Sequence, residues 1–239
     1  MSGHSKWAKV KHQKAVNDPK RGKAFSKLSN LITVAAREGS DPVTNPKLRV
    51  AIEKAKELAM PKANIEKAIK RGSGESEEGK KLEEMFLEAY GPGGVAILIQ
   101  VITDNKNRTL SELRHLLQNH QAKMASGGSV RWLFKEVAQI IIPKEKWNDD
   151  LYLKTIEQGA EAIKEEEEDV IIFSSFQKFS SLKNFIEQLL PSVNIRDGID
   201  WISDQKVVVQ DKGIKARLES LFDALDELDD VEEIYSNVA

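Results

Sequence analysis

The fold of this chain is decided by the run Gly91-Pro-Gly-Gly-Val-Ala-Ile-Leu-Ile-Gln-Val-Ile-Thr103. A proline among three glycines is typical of a tight turn, and the nine residues that follow are almost all apolar, as in a buried strand. Just before the turn, Met85, Leu87 and Ala89 occupy every second position, which predicts another strand. The turn therefore predicts a hairpin. A phosphate-binding loop is less favoured because the proline lacks an amide and a strand, not a helix, follows.

Residues 104–134 and the last part of the chain are predicted to add further helices and strands to this hairpin. Thr109 and Glu112 fit a capping box at the start of a helix with a stripe of leucines. The sequence Ser126-Gly-Gly-Ser129 predicts a turn into a strand at residues 130–134. Near the end of the chain, a strand at residues 206–210, a helix and a final strand are predicted to complete the same domain.

The segment between these two parts reads as a domain of its own. Its apolar periodicity predicts the order β-α-β-β-α-β, which is the ferredoxin-like order. We therefore expect an α+β protein with an N-terminal three-helix domain followed by two ferredoxin-like α/β domains, the second inserted in the first. The predicted domains are residues 1–73, residues 82–134 plus 204–239, and residues 135–203.

The first 73 residues differ from the rest in period and composition. Apolar residues recur at helical spacing in three segments, which predict a small helical bundle. A polar, basic arm over residues 6–27 precedes it, and we expect this arm to be flexible or only partly helical when free. Residues 72–79 are small and acidic, so they predict a linker. The predicted helices begin near Phe25, Pro46 and Pro61.

The net charge of −2 conceals an uneven distribution. Residues 1–71 contain 17 Lys and Arg against six Asp and Glu, a net charge of +11, whereas the remaining 19 basic and 32 acidic residues give −13. Such asymmetry predicts an N-terminal part that faces a polyanion. The chain has no cysteine, which excludes disulfides and thiolate zinc sites and favours a cytoplasmic protein. No apolar run approaches the roughly 20 residues of a membrane span, so no membrane partner is expected.

Catalytic and metal sites are not expected from the residue inventory. Four histidines without cysteine are a poor ligand set, and His115 and His120 lie on different sides of a predicted helix. No nucleophile motif or paired-carboxylate signature is present, so we expect neither a cofactor nor enzymatic activity. An enzyme acting between the two α/β domains is the weakest of the alternatives. The acidic runs 165–169 and 223–233 lack metal-loop spacing and are interpreted as solvated surface.

The basic arm and bundle are the predicted nucleic-acid interface. Lysines neutralise phosphates, and Trp7 among them can stack on an unpaired base. A loop before the Thr109 helix offers further donors near a helix N-terminus, although ordinary turn chemistry explains it equally well. The predicted contacts are Lys6, Trp7, Lys9, Lys11, His12, Lys14, Lys20, Arg21, Lys23, Lys27, Lys47, Arg49, Lys70 and Arg71. The residues of the secondary loop are Asn105, Lys106, Asn107 and Arg108.

Several motifs together resemble one family. They are Gly3-His-Ser-Lys-Trp7, Asn45-Pro-Lys-Leu-Arg49, Tyr90-Gly-Pro-Gly-Gly94 and Thr103-Asp-Asn-Lys-Asn-Arg-Thr109. With them the chain is similar to the YebC/PmpR family, which includes the mitochondrial translational activator of cytochrome c oxidase. The resemblance implies three domains and no assigned enzymatic activity. It also implies one of two roles, as a DNA-binding transcriptional regulator or as a ribosome-associated factor for difficult, proline-rich sequences.

The residues bear on this choice between DNA and RNA. Duplex readers place helices with Arg, Asn or Gln in the major groove, often as dimers. Here the densest charge is a lysine-rich arm, which suits phosphates and irregular RNA. We therefore expect a ribosome-associated translation factor that contacts ribosomal RNA, with a monomer favoured and a DNA-binding regulator as the alternative.

Overall fold

A computed structural model describes residues 18–75, 81–193 and 195–239, with side chains from residue 21 onward. The helices are α1 (Asp18–Ala35), α2 (Pro46–Glu57), α3 (Lys62–Ser73), α4 (Lys106–Asn119), α5 (Asp149–Glu157), α6 (Phe176–Leu189) and α7 (Lys212–Asp226). The strands are β1 (Glu83–Tyr90), β2 (Ala96–Thr103), β3 (Lys123–Met124), β4 (Lys135–Pro143), β5 (Ala162–Glu165), β6 (Asp169–Ser174), β7 (Arg196–Ile202) and β8 (Val231–Ser236). The expected α+β class is confirmed.

The described residues form two compact units. The first contains the residues up to Phe134 together with Ile202–Ala239, and the second contains Lys135–Trp201. The three N-terminal helices therefore belong to the same unit as the first sheet.

Helices α1, α2 and α3 pack around an aliphatic core, which includes Ile32, Leu48 and Ala55. Asn45 fixes the start of α2, because its side chain accepts the Leu48 amide at 3.0 Å and donates to the carbonyls of Ala35, the last residue of α1, and Gly39 at 2.8 Å each. Gly72 permits the close approach of α3 to α1, since a Cβ there would lie 2.2 Å from the Thr33 carbonyl oxygen. The three-helix bundle predicted from the sequence is confirmed.

The first sheet has the strand order β3-β1-β2-β8 and is antiparallel throughout. The predicted hairpin is present, with Glu83 opposite Thr103 and Tyr90 opposite Ala96. Helices α4 and α7 cover one face, where apolar residues such as Ile97, Leu117 and Leu221 form the core. Because the hairpin precedes the first helix, the strand order of this sheet differs from the ferredoxin-like order.

The second sheet has the order β5-β6-β4-β7, which is the ferredoxin-like order expected for this part of the chain. Strand β4 contributes Ile140 and Ile142 to the core and β6 contributes Val170 and Ile172, and α5 and α6 pack on that face through residues such as Leu151 and Ile186. Among the described helices of both units, none is long and apolar enough to cross a membrane.

Three local predictions are wrong. Helix α4 begins at Lys106 and is capped by Asn105, so Thr109 lies one turn inside the helix and is not its cap. Residues 130–134 form a 3-10 turn, because Glu88 binds the backbone amides that a strand ladder needs. Residues 206–210 form no strand but one isolated bridge, from Val207 to Val238.

Candidate nucleic-acid interface

The predicted contacts fall into three groups in the structure. Those in the basic arm lie outside the described residues, and so does the side chain of Lys20, which is part of α1. The described ones either hold the first unit together or lie on its surface. The predicted contacts outside the described residues are Lys6, Trp7, Lys9, Lys11, His12 and Lys14.

Lys23 and Lys27 of α1 bind the C-terminal end of α7. The Lys27 ammonium donates to the Asp226 carbonyl at 2.8 Å and lies 3.8 Å from the carboxylate of the same residue. Lys23 donates to the Glu227 carbonyl and pairs with the carboxylates of Glu227 and Asp229 at 3.3 and 3.4 Å. Cations stabilise a helix C-terminus because its last carbonyls are unpaired and carry partial negative charge. These two lysines therefore dock the helical bundle on the acidic end of α7.

Strand β8 extends this docking surface. Lys54 of α2 donates to the Glu233 carboxylate at 2.9 Å, and both Glu232 and Glu233 are buried. Burial raises the pKa of Glu232 well above its usual range, which the nearby Lys27 opposes in part. Burial also lowers the pKa of Lys27, against the effect of Asp226. The interpretation of residues 223–233 as solvated surface is thus wrong, because much of the run faces the lysines of the bundle.

Arg71 is used inside the bundle. Its guanidinium donates to the Thr33 hydroxyl at 2.7 and 3.0 Å and to the Asn30 side chain at 3.3 Å, which ties α3 to α1. Burial lowers the pKa of Arg71, and the neighbouring Arg37 adds to this effect. In this arrangement its donors are directed at the protein and not at a phosphate.

The secondary loop before α4 is also tied to the fold. Asn105 caps the helix, and Arg108 donates to both carboxylate oxygens of Asp230 at 2.8 and 3.2 Å. The hydrogen bond and charge of Asp230 raise the pKa of Arg108. Lys106 and Asn107 are exposed. Of the four predicted contacts in this loop, two therefore have structural roles.

The remaining cations lie on the surface of the bundle. The Arg21 guanidinium stacks 5.4 Å from the centre of the Phe25 ring, and Lys47 pairs with Glu38 at 2.8 Å. Lys70 is exposed near the end of α3, and Arg49 is half-buried. Lys56, which the sequence did not single out, is exposed on α2. The helical period of the sequence could have indicated this exposure, because Lys56 comes directly after the buried Ala55 and lies outside the apolar stripe of the helix.

Metal coordination has no support in the part of the chain that the structure describes. There, no three His, Asp or Glu side chains lie close enough together to hold a metal ion. The chemistry that this surface offers is the neutralisation of phosphates by exposed ammonium groups.

Comparison with known proteins identifies the family. The model of the TACO1/YebC N-terminal domain matches residues 5–75, and the model of the TACO1/YebC second and third domain matches residues 82–238. The chain belongs to the TACO1/YebC family. The resemblance seen in the sequence motifs is thereby confirmed, and the two matched segments meet where the acidic linker was predicted.

Relatives in this family match along the whole chain. A probable transcriptional regulatory protein of Halothermothrix orenii is 45% identical and covers 99% of this chain and 94% of its own. A protein of the same description from Thermotoga maritima is 44% identical over 99% of this chain and 93% of its own. The crystal structure of the conserved hypothetical protein Aq1575 from Aquifex aeolicus has a TM-score of 0.84 at 41% identity, covering 98% of this chain and 96% of that one.

Proposed function

We propose that this protein is a regulator of gene expression that binds nucleic acid, and that it acts on the ribosome by contacting ribosomal RNA. One observation carries the proposal: residues 1–71 hold 17 basic and six acidic residues, far more cations than the docking on α7 and β8 uses. The excess charge has the sign and density that a phosphate backbone requires. The proposal assigns no catalytic step to the protein.

The types of side chain among the predicted contacts favour binding of RNA over recognition of base edges in duplex DNA. Base edges in the major groove are read best by arginine and asparagine. Of the predicted contacts of these types, Arg71, Asn105 and Arg108 are bonded within the protein, whereas Arg21 and Asn107 are exposed. Most of the predicted contacts are lysines, and the exposed cations of the bundle include Lys56 and Lys70. Lysines contact phosphates without reading sequence, which suits recognition of a folded RNA by shape.

Ribosome sedimentation tests the proposal. We expect the protein to travel with ribosomal fractions at low and moderate salt and to crosslink to ribosomal RNA. A variant with Lys9, Lys11 and Lys14 changed to Ala should lose this association. The matched control changes three lysines of the second unit, Lys144, Lys146 and Lys178, and should sediment like the wild type. Absence of the wild-type protein from ribosomal fractions would contradict the proposal.

The translational role needs a separate measurement. We propose that the bound protein aids the synthesis of difficult sequences such as consecutive prolines. In a reconstituted translation system, adding the protein should shorten the pause on a proline run and leave a matched alanine run unchanged. If the protein changed the pausing on the two templates equally, the role in difficult sequences would be contradicted and only ribosome binding would be left.

DNA-directed regulation is the second candidate, and the description of the relatives as probable transcriptional regulatory proteins favours it. The excess of cations predicts some affinity for any duplex, so a gel shift by itself does not discriminate. The deciding quantity is the ratio of affinities for genomic target and random DNA at physiological salt. A ratio well above one would support this candidate, and a ratio near one would remove it.

A further inference from the structure

One exposed aromatic residue of the first unit, Trp132, is held by a hydrogen bond to its own loop. Trp132 lies in the 3-10 turn Arg131–Leu133, and 66% of its surface is exposed. An exposed indole leaves a large apolar surface in water, which is unfavourable unless a partner covers it. The segment that carries it, residues 126–133, is called the Trp132 loop here. Its contacts show how the indole is fixed.

A buried carboxylate anchors the backbone of this loop. Glu88 of β1 accepts the amides of Gly128 at 2.6 Å and Arg131 at 2.9 Å, and that of Val130 as well. Burial raises the pKa of Glu88, but the three amide hydrogen bonds and the Arg131 charge outweigh this and lower it, so the group stays ionised. Gly128 has a φ of +85°, a backbone conformation that residues with a side chain rarely adopt. This conformation lets the Gly128 amide turn towards Glu88.

The indole orientation is fixed by a second contact. The Ser129 carbonyl accepts both the Trp132 Nε1–H and the Tyr90 hydroxyl, each at 3.0 Å. Because Nε1–H is the single polar donor of the indole, the exposed part of Trp132 offers an apolar ring and no hydrogen-bonding group. The loop therefore presents an oriented aromatic surface.

The loop packs on the face of the first sheet that also receives the helical bundle. Phe86, Gln100 and Glu233 are directly opposite one another on β1, β2 and β8, so their side chains share that face. The Arg131 guanidinium lies 4.8 Å from the Phe86 ring at one side, and Lys54 of the bundle binds Glu233 at the other. Two strand spacings, about 10 Å, separate β1 from β8.

Cations flank this aromatic surface. Arg131 precedes Trp132 in the chain, and Lys123 lies opposite Tyr90 in the sheet and is exposed. Glu88 is the carboxylate nearest to the loop backbone, and its charge is compensated by three amides. Because the bundle and the loop contact the same sheet face, on strands about 10 Å apart, one RNA strand can contact both.

From this arrangement we propose that Trp132 is a stacking site for an unpaired nucleobase of RNA, with Arg131 and Lys123 beside the adjoining phosphates. The inference rests on the proposed function, because it names a second contact for the same RNA. Stacking on an aromatic side chain tolerates any base, so the site adds affinity for unpaired RNA without choosing a sequence. Glu88 acts as a positioning residue, since it touches the loop backbone and not the base.

Paired binding measurements test the stacking site. The probes are a labelled single-stranded 12-mer RNA and an abasic strand of the same length, which keeps the phosphates and lacks the bases. Trp132→Ala should weaken binding of the normal RNA about tenfold, the usual loss for one stacked base. It should leave the abasic affinity and the salt dependence unchanged. Trp132→Tyr should restore most of the loss, because it retains an aromatic ring.

Two further variants separate stacking from general effects. Tyr152→Ala removes another exposed aromatic residue, in the second unit, and should change neither affinity. Glu88→Gln should weaken binding of the normal RNA in the wild type but add little in the Trp132→Ala background, as expected for a residue that acts through Trp132. Equal losses on normal and abasic strands, or no loss with Trp132→Ala, would overturn the stacking site.

These outcomes are distinguishable from failure of the proposed function. If the wild type binds the 12-mer with the expected Trp132 dependence but is absent from ribosomes, the stacking site stands and the ribosomal assignment fails. If the protein sediments with ribosomes and Trp132→Ala changes neither assay, the stacking site fails alone. A loss of ribosome association with Trp132→Ala and no change on free RNA would indicate a protein contact instead, and would also overturn the site.

Discussion

Two sets of lysines on the same helical bundle have opposite surroundings. Lys23, Lys27 and Lys54 face the acidic end of α7 and strand β8, and Lys27 is only 3% exposed. Lys56 and Lys70 are exposed on α2 and α3. Each lysine of either set adds one positive charge to the total of +11, yet the lysines of the first set are bound by carboxylates and carbonyls. A charge count therefore overstates the cations that a nucleic acid can reach.

The largest expected effect is a loss of stability when one of the docking lysines, Lys27, is removed. Lys27→Ala should reduce the free energy of unfolding of the first unit by about 3 kcal/mol, because it removes the buried ammonium that faces the half-buried Asp226 and the buried Glu232. Lys56→Ala removes the same charge from an exposed position and should cost less than about 0.5 kcal/mol. Urea unfolding, followed by hydrogen exchange of α1 and β8, measures both. Equal losses would show that Lys27 has no special role.

A similar contrast holds between two buried carboxylates. Glu88 receives three backbone amides and has a lowered pKa, whereas Glu232 is buried beside Glu233 and has a raised one. A carboxylate with a lowered pKa stabilises the fold above its unfolded pKa of about 4.3, and this contribution is lost as the pH falls through its folded pKa. The two acids therefore respond to pH in opposite directions.

Glu88→Gln tests the sign of this effect. At pH 7 the variant should be less stable by roughly 1–3 kcal/mol, because an amide replaces a carboxylate that accepts three N–H groups. The difference from the wild type should narrow as the pH falls below the unfolded pKa of about 4.3 and through the lowered folded pKa of Glu88. Glu83→Gln, an exposed change on the same strand, serves as the control and should show a smaller, flatter difference. Thermal unfolding across pH provides the measurement, and a difference that widened in acid would contradict the assigned sign.

Local patterns predicted most of the fold. The Gly-Pro-Gly-Gly turn identified the β1–β2 hairpin, apolar periodicity identified the three helices, and element order identified the ferredoxin-like second sheet. These features depend on residues close in sequence, which pattern reasoning can reach. The failures share a different cause. Residues 130–134 do not form a strand because Glu88, about 40 positions earlier, captures their amides.

The candidate site was less predictable for the same reason. Lys27 and its acceptor on Asp226 are 199 positions apart, so nothing near either residue indicated their contact. Arg108 likewise pairs with Asp230, 122 positions away. The sequence located the charge correctly but could not divide it between cations that hold the fold and cations that are exposed. Trp132 was missed because its significance depends on how Glu88 and Ser129 fix its orientation.

The smallest expected effect separates the two sets of lysines directly. Lys70→Ala and Lys23→Ala each remove one positive charge from the bundle, so the long-range attraction of RNA falls equally in both. A direct phosphate contact to single-stranded RNA contributes about 0.7 to the slope of log affinity against log salt, or roughly 1 kcal/mol at 0.1 M salt. We expect Lys70→Ala to lower the slope by this amount and Lys23→Ala to leave it unchanged, because Glu227 and Asp229 already neutralise Lys23. Anisotropy titrations with the 12-mer RNA at four salt concentrations would measure both slopes. Equal reductions would mean that RNA displaces the carboxylates from Lys23, and the division between docking and exposed lysines would then hold only for the free protein.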